Sequence, residues 1–281
     1  MKLIKRTEIE KPNEVYNLHI EHDHNYIVED AVVSNCHMAK AEVLKTLLTR
    51  NLSRAPIRWG LTGTIPKADH EFQSIKASLG EVTNHVYAHE LQEAGVLSNC
   101  HVNIIQTAEW KEFKSYAEEL KYLVTDNSRL DHMSDLIKKI AETGNTLVLV
   151  GRIESGKAMI EKIPDSVFIS GEVKTKDRKE EYDEVKTVNN KIIVATYGVA
   201  AVGINIPRIF NLVLVEPGKS FVRVIQSIGR GIRKADDKDF VTIHDICASS
   251  KYSKRHLRER KRYYTDAQYP FSVTKINRPV V

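Results

Sequence analysis

The sequence predicts an alternating α/β protein built on a parallel sheet and preceded by a short all-β segment. Three observations carry that expectation. Runs such as Thr146–Val150, Ile192–Ala195 and Leu212–Val215 are almost wholly apolar, as strands covered on both faces must be. Stretches of helical periodicity separate them, which supplies the crossovers that parallel strands require. Residues 14–33 instead alternate and are rich in β-branched side chains around a polar turn.

Val15–Ile20 and Tyr26–Val28 with Ala31–Val33 read as a two-stranded unit joined through Glu21-His22-Asp23-His24-Asn25. Two strands of that length bury too little to fold alone. From Met38 the pattern changes to a helix near 38–50, a strand at Ile57–Leu61, a helix near 68–79 and irregular β material to about 106. Helical periodicity covers 111–123 and 128–143, followed by the strand Thr146–Val150, a helix near 155–162, Val167–Ile169 and a helix near 176–187. Ile192–Ala195, Leu212–Val215, a helix near 220–229 and Phe240–Ile243 complete the alternation. No internal repeat or low-complexity linker interrupts it.

The composition is that of a globular chain with a real core: 281 residues, 42% hydrophobic and 28% charged. No apolar run approaches the roughly 20 residues of a bilayer span, and the opening segment lacks a secretion signal, so a cytoplasmic protein without membrane partners is expected. Cys36, Cys100 and Cys247 are odd in number and widely spaced, which argues against a disulfide framework or a zinc knuckle. Charge is uneven. Residues 1–35 hold four basic and seven acidic side chains, net −3, so the downstream part carries +5 − (−3) = +8. Much of it lies in residues 251–264, where Lys254, Arg255 and Arg258 could neutralise phosphates and the interleaved tyrosines could stack on bases. The alternative is an ordinary solvated helix face.

Gln226-Ser-Ile-Gly229-Arg230-Gly-Ile-Arg233 carries the strongest catalytic signal. On a helix, Gln226, Arg230 and Arg233 share one face, where two guanidiniums can reach one polyphosphate. The run resembles motif VI, Q-x-x-G-R-x-x-R, of the superfamily-two helicases and translocases, whose arginines act on the γ-phosphate in the transition state. Companions follow in the family's order. Gly60-Leu-Thr62-Gly63-Thr64 looks like motif III, and Ser170-Gly171-Glu172-Val173 resembles the turn beyond the next strand of the second motor domain. Ile192 to Pro207 looks like motif V, with Thr196 at a nucleic-acid phosphate and Gly203 and Asn205 at the nucleotide. Asn205 stands where Asp is usual. Gly229 joins the nucleotide set, while Thr62, Thr64, Gly171 and Thr196 join the nucleic-acid set. The resemblance spans roughly residues 36–246, is closest to the UvsW type of phage helicase, and implies two RecA-like domains with ATP and Mg²⁺ between them.

Gly151 to Ala158 follows a strand and nearly matches the phosphate loop G-x-x-x-x-G-K-[ST], but Ala158 has no hydroxyl for Mg²⁺. The resemblance makes it motif IV instead. A self-sufficient P-loop NTPase using Lys157, with Val213-Leu-Val-Glu216 as its acidic strand, is the rival reading.

A motor of this type needs a phosphate loop and a D-E-x-H box before motif III. Only Cys36-His37 stands where the box would end, and His37 resembles the histidine that meets the motif VI glutamine, Gln226. The first 35 residues account for the truncation. Val15 to Glu21, His24-Asn25-Tyr26 and Ala31 to Asn35 before Cys36 are similar to the C-terminal block of inteins. That resemblance implies that Asn35 cyclises, Cys36 is the downstream nucleophile and His24 assists proton transfer. Ser34 and Asn17 replace the usual His and Asp. The alternative is an ordinary β hairpin on the motor.

The expected organisation is therefore an intein C-fragment at 1–35, the remainder of a first RecA-like domain at 36–106, a second RecA-like domain at 107–250 and a basic tail at 251–281. The implied partners are DNA and an N-terminal helicase half that carries the intein N-fragment and supplies the Mg²⁺ ligands. Alone, the chain is expected to be inactive as an ATPase. A non-catalytic nucleic-acid-binding fragment is the remaining alternative.

Overall fold

A computed structural model of the chain describes residues 25–28, 31–35, 45–51, 53–54, 57–62, 65, 69–171, 188–202, 206 and 208–277. It divides into two compact units, Met1–His85 and Val86–Val281.

In the first unit, β1 (Asn25–Val28) and β2 (Ala31–Asn35) pair antiparallel, with Asn25 opposite Ser34 and Val28 opposite Ala31. β2 then runs parallel to β3 (Ile57–Leu61), in register from Ala31 against Ile57 to Asn35 against Leu61. Tyr26–Val28 and Ala31–Val33, expected on one strand, thus lie on two paired strands. The expected strand at 15–20 and the start of the helix at 38–50 lie outside the described residues. A π-helical turn, Leu47–Asn51, buries Leu48, and α1 (Asp69–Leu79) buries Ile75.

The second unit is a seven-stranded sheet in which every pair is parallel. Its described elements in chain order are α2 (Ala88–Glu93), β4 (Asn99–Thr107), α3 (Tyr116–Thr125), α4 (Asn127–Ala141), β5 (Thr146–Val150), α5 (Ile153–Lys162) and β6 (Val167–Ile169). They continue with β7 (Ile192–Thr196), α6 (Tyr197–Val202), β8 (Asn211–Val215), α7 (Phe221–Gly231), β9 (Phe240–Ala248), α8 (Lys251–Asp266) and β10 (Phe271–Ile276). The strand order is β10-β4-β9-β8-β5-β7-β6.

Alternation along the buried strands divides the core between two faces. Leu147, Leu149, Leu212 and Leu214 pack with Val224 and Ile228 of α7 and Leu257 and Tyr264 of α8. Val148, Val150, Val213 and Val215 pack with Met133 and Ile137 of α4 and Met159 of α5. Helix starts follow local chemistry: Ser115 accepts from the Glu118 amide, Asp126 from Arg129 and Ser220 from Arg223.

The structure differs from the sequence reading in two places. The material before 106 contains α2 and a nine-residue strand, β4, which pairs with β9 and β10. Polar residues such as His101 and Asn103 hide its strand character, because they lie toward β10 at the sheet margin. β4 therefore belongs to the second compact unit, which begins at Val86. Residues 251–276 are likewise an integral helix and edge strand of the same sheet, not a tail. The expected helix at 176–187 lies outside the described residues.

Candidate functional site

Gln226 and Arg230 lie one turn apart on α7 and are both half-buried. Arg233 is not on that helix. α7 ends at Gly231, Ile232 caps it, and Arg233 forms an isolated bridge with Leu97. The shared face expected for all three residues holds for Gln226 and Arg230 only, because the helix ends before Arg233; Gly231 itself packs closely on Leu212. A Cβ at Gly231 would lie 2.9 Å from the Leu212 side chain. Burial lowers the Arg233 pKa from its ordinary value.

The end of α7 is firmly held. The Lys238 ammonium donates to the Gly231 carbonyl at 2.7 Å, and the Ser98 amide donates to Ile232 at 2.8 Å. Burial pulls the Lys238 pKa down to about 8. A Cβ at Gly229 would meet nothing within 4 Å, so packing does not require glycine there.

Thr196 closes β7, and its Oγ1 accepts from the Val199 amide at 3.5 Å, at the start of α6. Gly171 forms the turn after β6, and Thr62 follows β3 in the first unit. Asn35 is the last residue of β2. His24, Cys36, His37, Thr64, Gly203 and Asn205 lie outside the described residues.

The near-match to a phosphate loop does not form one. Only Gly151 and Arg152 separate β5 from α5, so Gly156 and Lys157 lie inside the helix and no loop remains to wrap a phosphate chain. A Cβ on Gly156 would sit 2.1 Å from the Phe168 ring, which explains the glycine by packing. Glu216 is not an acidic metal ligand either: its carboxylate accepts from Arg129, Ser253 and the Ala248 amide. Among the described residues no cluster of three or more His, Cys, Asp or Glu side chains could hold a metal ion.

Lys251, Lys254, Arg255, Arg258 and Arg262 are exposed and recur at helical spacing on α8, so they form a basic stripe. The tyrosines do not share it. Tyr264 is buried and donates to Asp245 at 2.7 Å, Tyr252 donates to the Lys114 carbonyl and Tyr263 to the Lys219 carbonyl. Burial withdraws Tyr264 from base stacking, and the hydroxyls of Tyr252 and Tyr263 anchor the helix.

Sequence reasoning missed two buried ion pairs. Arg129 meets Glu216, and Arg260 makes a two-pronged contact with Asp245 at 2.8 Å for both bonds. Glu119 also accepts from the Tyr252 and Ser253 amides at the start of α8. No linear motif marks these residues, since their partners lie far away in sequence.

An all-parallel sheet whose helix α7 carries the first part of a Q-x-x-G-R-x-x-R run is the setting in which the comparisons find a match. Residues 128–235 match the family described as Helicase conserved C-terminal domain. The second unit thus holds a segment similar to helicase C-terminal domains, and its fold is that of a RecA-like domain.

In particular, the chain is similar to the ATP-dependent DNA helicase uvsW of Enterobacteria phage T4, 27% identical over 239 residues, covering 81% of this chain and 47% of that protein. The crystal structure of T4 UvsW aligns with a TM-score of 0.56 at 24% identity, over 87% of this chain and 53% of that one. Putative helicase 22 of the Sulfolobus islandicus filamentous virus is 23% identical, covering 82% and 45% of the two chains. A fragment of a putative HsdR subunit of a type I restriction enzyme from Vibrio vulnificus YJ016 aligns with a TM-score of 0.68 at 17% identity, over 90% and 50%. The chain spans about half the length of the curated relatives it matches. No described helix is long and apolar enough to cross a membrane.

Proposed function

We propose that this chain is the C-terminal part of an ATP-dependent DNA helicase or translocase, joined in trans to its N-terminal half. The observation that carries the reading is the QxxGRxxR run at the end of α7, within the segment that matches the helicase C-terminal family. Gln226 and Arg230 present a donor pair from one helix face, and Arg233 follows two residues beyond its end. In the assembled motor Arg230 and Arg233 neutralise charge on the γ-phosphate as the bond to the β-phosphate breaks. His37 bonds Gln226, Asn205 and Gly203 border the nucleotide, and Thr62, Thr64, Gly171 and Thr196 hold the DNA backbone. ATP arrives with Mg²⁺, whose ligands are the Asp and Glu of the partner half.

Joining proceeds through residues 1–35 as an intein C-fragment. The Cys36 thiol takes the acyl group of the last Glu of a partner ending in Asp-Glu, breaking that residue's bond to the intein N-fragment, and the acyl group moves to the Cys36 amine once Asn35 has released it. Asn35 cyclises to release residues 1–35, with His24 assisting, and the box D-E-C-H is restored. Mixing the chain with such a partner is expected to give a ligated product by mass spectrometry and DNA-stimulated ATP turnover. An Arg230→Ala product should turn over ATP roughly 10³-fold more slowly. Turnover by the unjoined chain, or equal ligation by a Cys36→Ala variant, contradicts this reading.

The exposed stripe on α8 favours a second reading, a non-catalytic DNA-binding fragment. Salt-sensitive DNA binding without ligation by any such partner would select it.

A further inference from the structure

The parallel sheet reverses its direction of growth at β5. The chain goes on to β6 and β7 on one side, then returns to lay β8 and β9 on the other. In open α/β sheets the crevice beyond the strand ends at such a reversal is where ligands bind. A cavity of about 290 Å³ lies there, bordered by Gly151 and Arg152 after β5 and by Val215 and Glu216 at the end of β8.

One wall is suited to an anion. Arg152 takes the N-cap position of the ten-residue α5 without supplying a side-chain acceptor, and the first-turn amides of a helix lack intrahelical partners. Arg223, in the first turn of α7, lines the same cavity, with its guanidinium steadied 5.4 Å from the Tyr197 ring. Ser155 gives an independent indication. It lines the cavity, is 1% exposed, and its Oγ has no hydrogen-bond partner. A buried hydroxyl left unpaired is costly, so a ligand acceptor or donor at this point is favoured.

The nearby carboxylate does not cancel this preference. Glu216 is paired with Arg129 and accepts from Ser253 and the Ala248 amide. Its backbone is held at φ 42°, a left-handed conformation that side chains other than glycine adopt at a cost. Glu154, the acidic residue in the first turn of α5, is exposed and does not line the cavity. The opposite wall is apolar, formed by Leu120 and Val124 with the Tyr116 ring on α3.

We propose that this crevice binds a small phosphomonoester of mononucleotide size, with its phosphate on Arg152, Arg223, Ser155 and the α5 amides and its body against Tyr116, Leu120 and Val124. The site is separate from the proposed ATP contacts of Arg230 and Arg233 and does not depend on joining to a partner half.

The test uses the full chain at fixed ionic strength, with inorganic phosphate, dAMP and an oligonucleotide lacking terminal phosphates as probes. Binding is read by calorimetry and by amide shifts of Gly151, Arg152 and Ser155. Phosphate and dAMP should saturate one site, dAMP more tightly, and Arg152→Gln and Arg223→Gln should each weaken dAMP about tenfold. Ser155→Asp should abolish binding. Should that variant lose its wild-type melting transition, Ser155→Ala replaces it, with a weakening of several-fold expected. Absence of shifts with both small probes, or binding indifferent to both arginine variants, overturns the proposal. Occupation of the crevice by the oligonucleotide alone also overturns it, by assigning the pocket to backbone phosphates.

Discussion

Asp245 is fully buried beside Arg260, which is 1% exposed, and the carboxylate also accepts from Tyr264. Removing one member of such a pair leaves the other charged and desolvated. Asp245→Ala should therefore destabilise the domain by about 3–5 kcal/mol in urea unfolding. A loss below about 1 kcal/mol would show that the pair is not sequestered. His244, the neighbouring residue, points to the other side of the strand, and burial lowers its pKa to about 4 from 6.5. The unfolded chain then takes up a proton before the folded one as pH falls through 6.5. This residue's effect is to reduce stability between about pH 6.5 and pH 4, by at most about 3 kcal/mol, and to leave it unchanged above that window. Melting temperature measured against pH should fall less steeply across the window in His244→Gln, and an unchanged slope would refute the assignment. Arg230 could be singled out in the sequence because its neighbours form a linear motif. Arg129 and Arg260 could not, because what distinguishes them is a carboxylate brought near by folding.

Among the elements, α7 and the central strands were legible because period and composition coincide: β5 and β8 are buried at every position. α8 was not. Its polar composition reads as a tail, yet Ser253, His256, Leu257, Arg260 and Tyr264 form its buried side. Arg260 counted as surface charge in the sequence and proved to be core. What remains outside is the stripe of Lys254, Arg255 and Arg258 with its exposed neighbours. Replacing those three by Gln should weaken DNA binding at low salt by about tenfold or more, and lower the slope of log affinity against log salt by two to three. Fluorescence anisotropy across a salt series measures both. An unaltered slope would leave the stripe as solvated surface. The near phosphate loop teaches the converse lesson, since its spacing matched while its backbone did not. Helix α5 starts too early, and Gly156 is there to admit Phe168.

For the whole molecule, the sequence led to the parallel α/β architecture, while β4 groups with strands the sequence did not connect it to. Parallel α/β character depends on bulk pattern, which survives local error. The placement of β4 depends on its partners β9 and β10, which lie over a hundred residues downstream. A polypeptide covering residues 86–281 contains all seven strands and should unfold in one cooperative transition. Stopping at residue 250 removes α8 and β10, strips Asp245 of Arg260 and Tyr264, and uncovers β4. That shorter chain should not give a sharp melting transition by circular dichroism, and a sharp one near that of 86–281 would show the last elements to be dispensable.

The ladder between β2 and β3 bears on how a joining reaction at residue 35 would finish. Cutting the backbone there does not free the departing peptide, because five of its residues are zipped in parallel to Ile57–Leu61, up to the one beside the cut. The excised piece must be peeled away before β3 can accept a new neighbour. If the proposed partner half lays a strand of its own along the same edge, turnover of the finished motor would lag behind bond formation by the time this exchange takes.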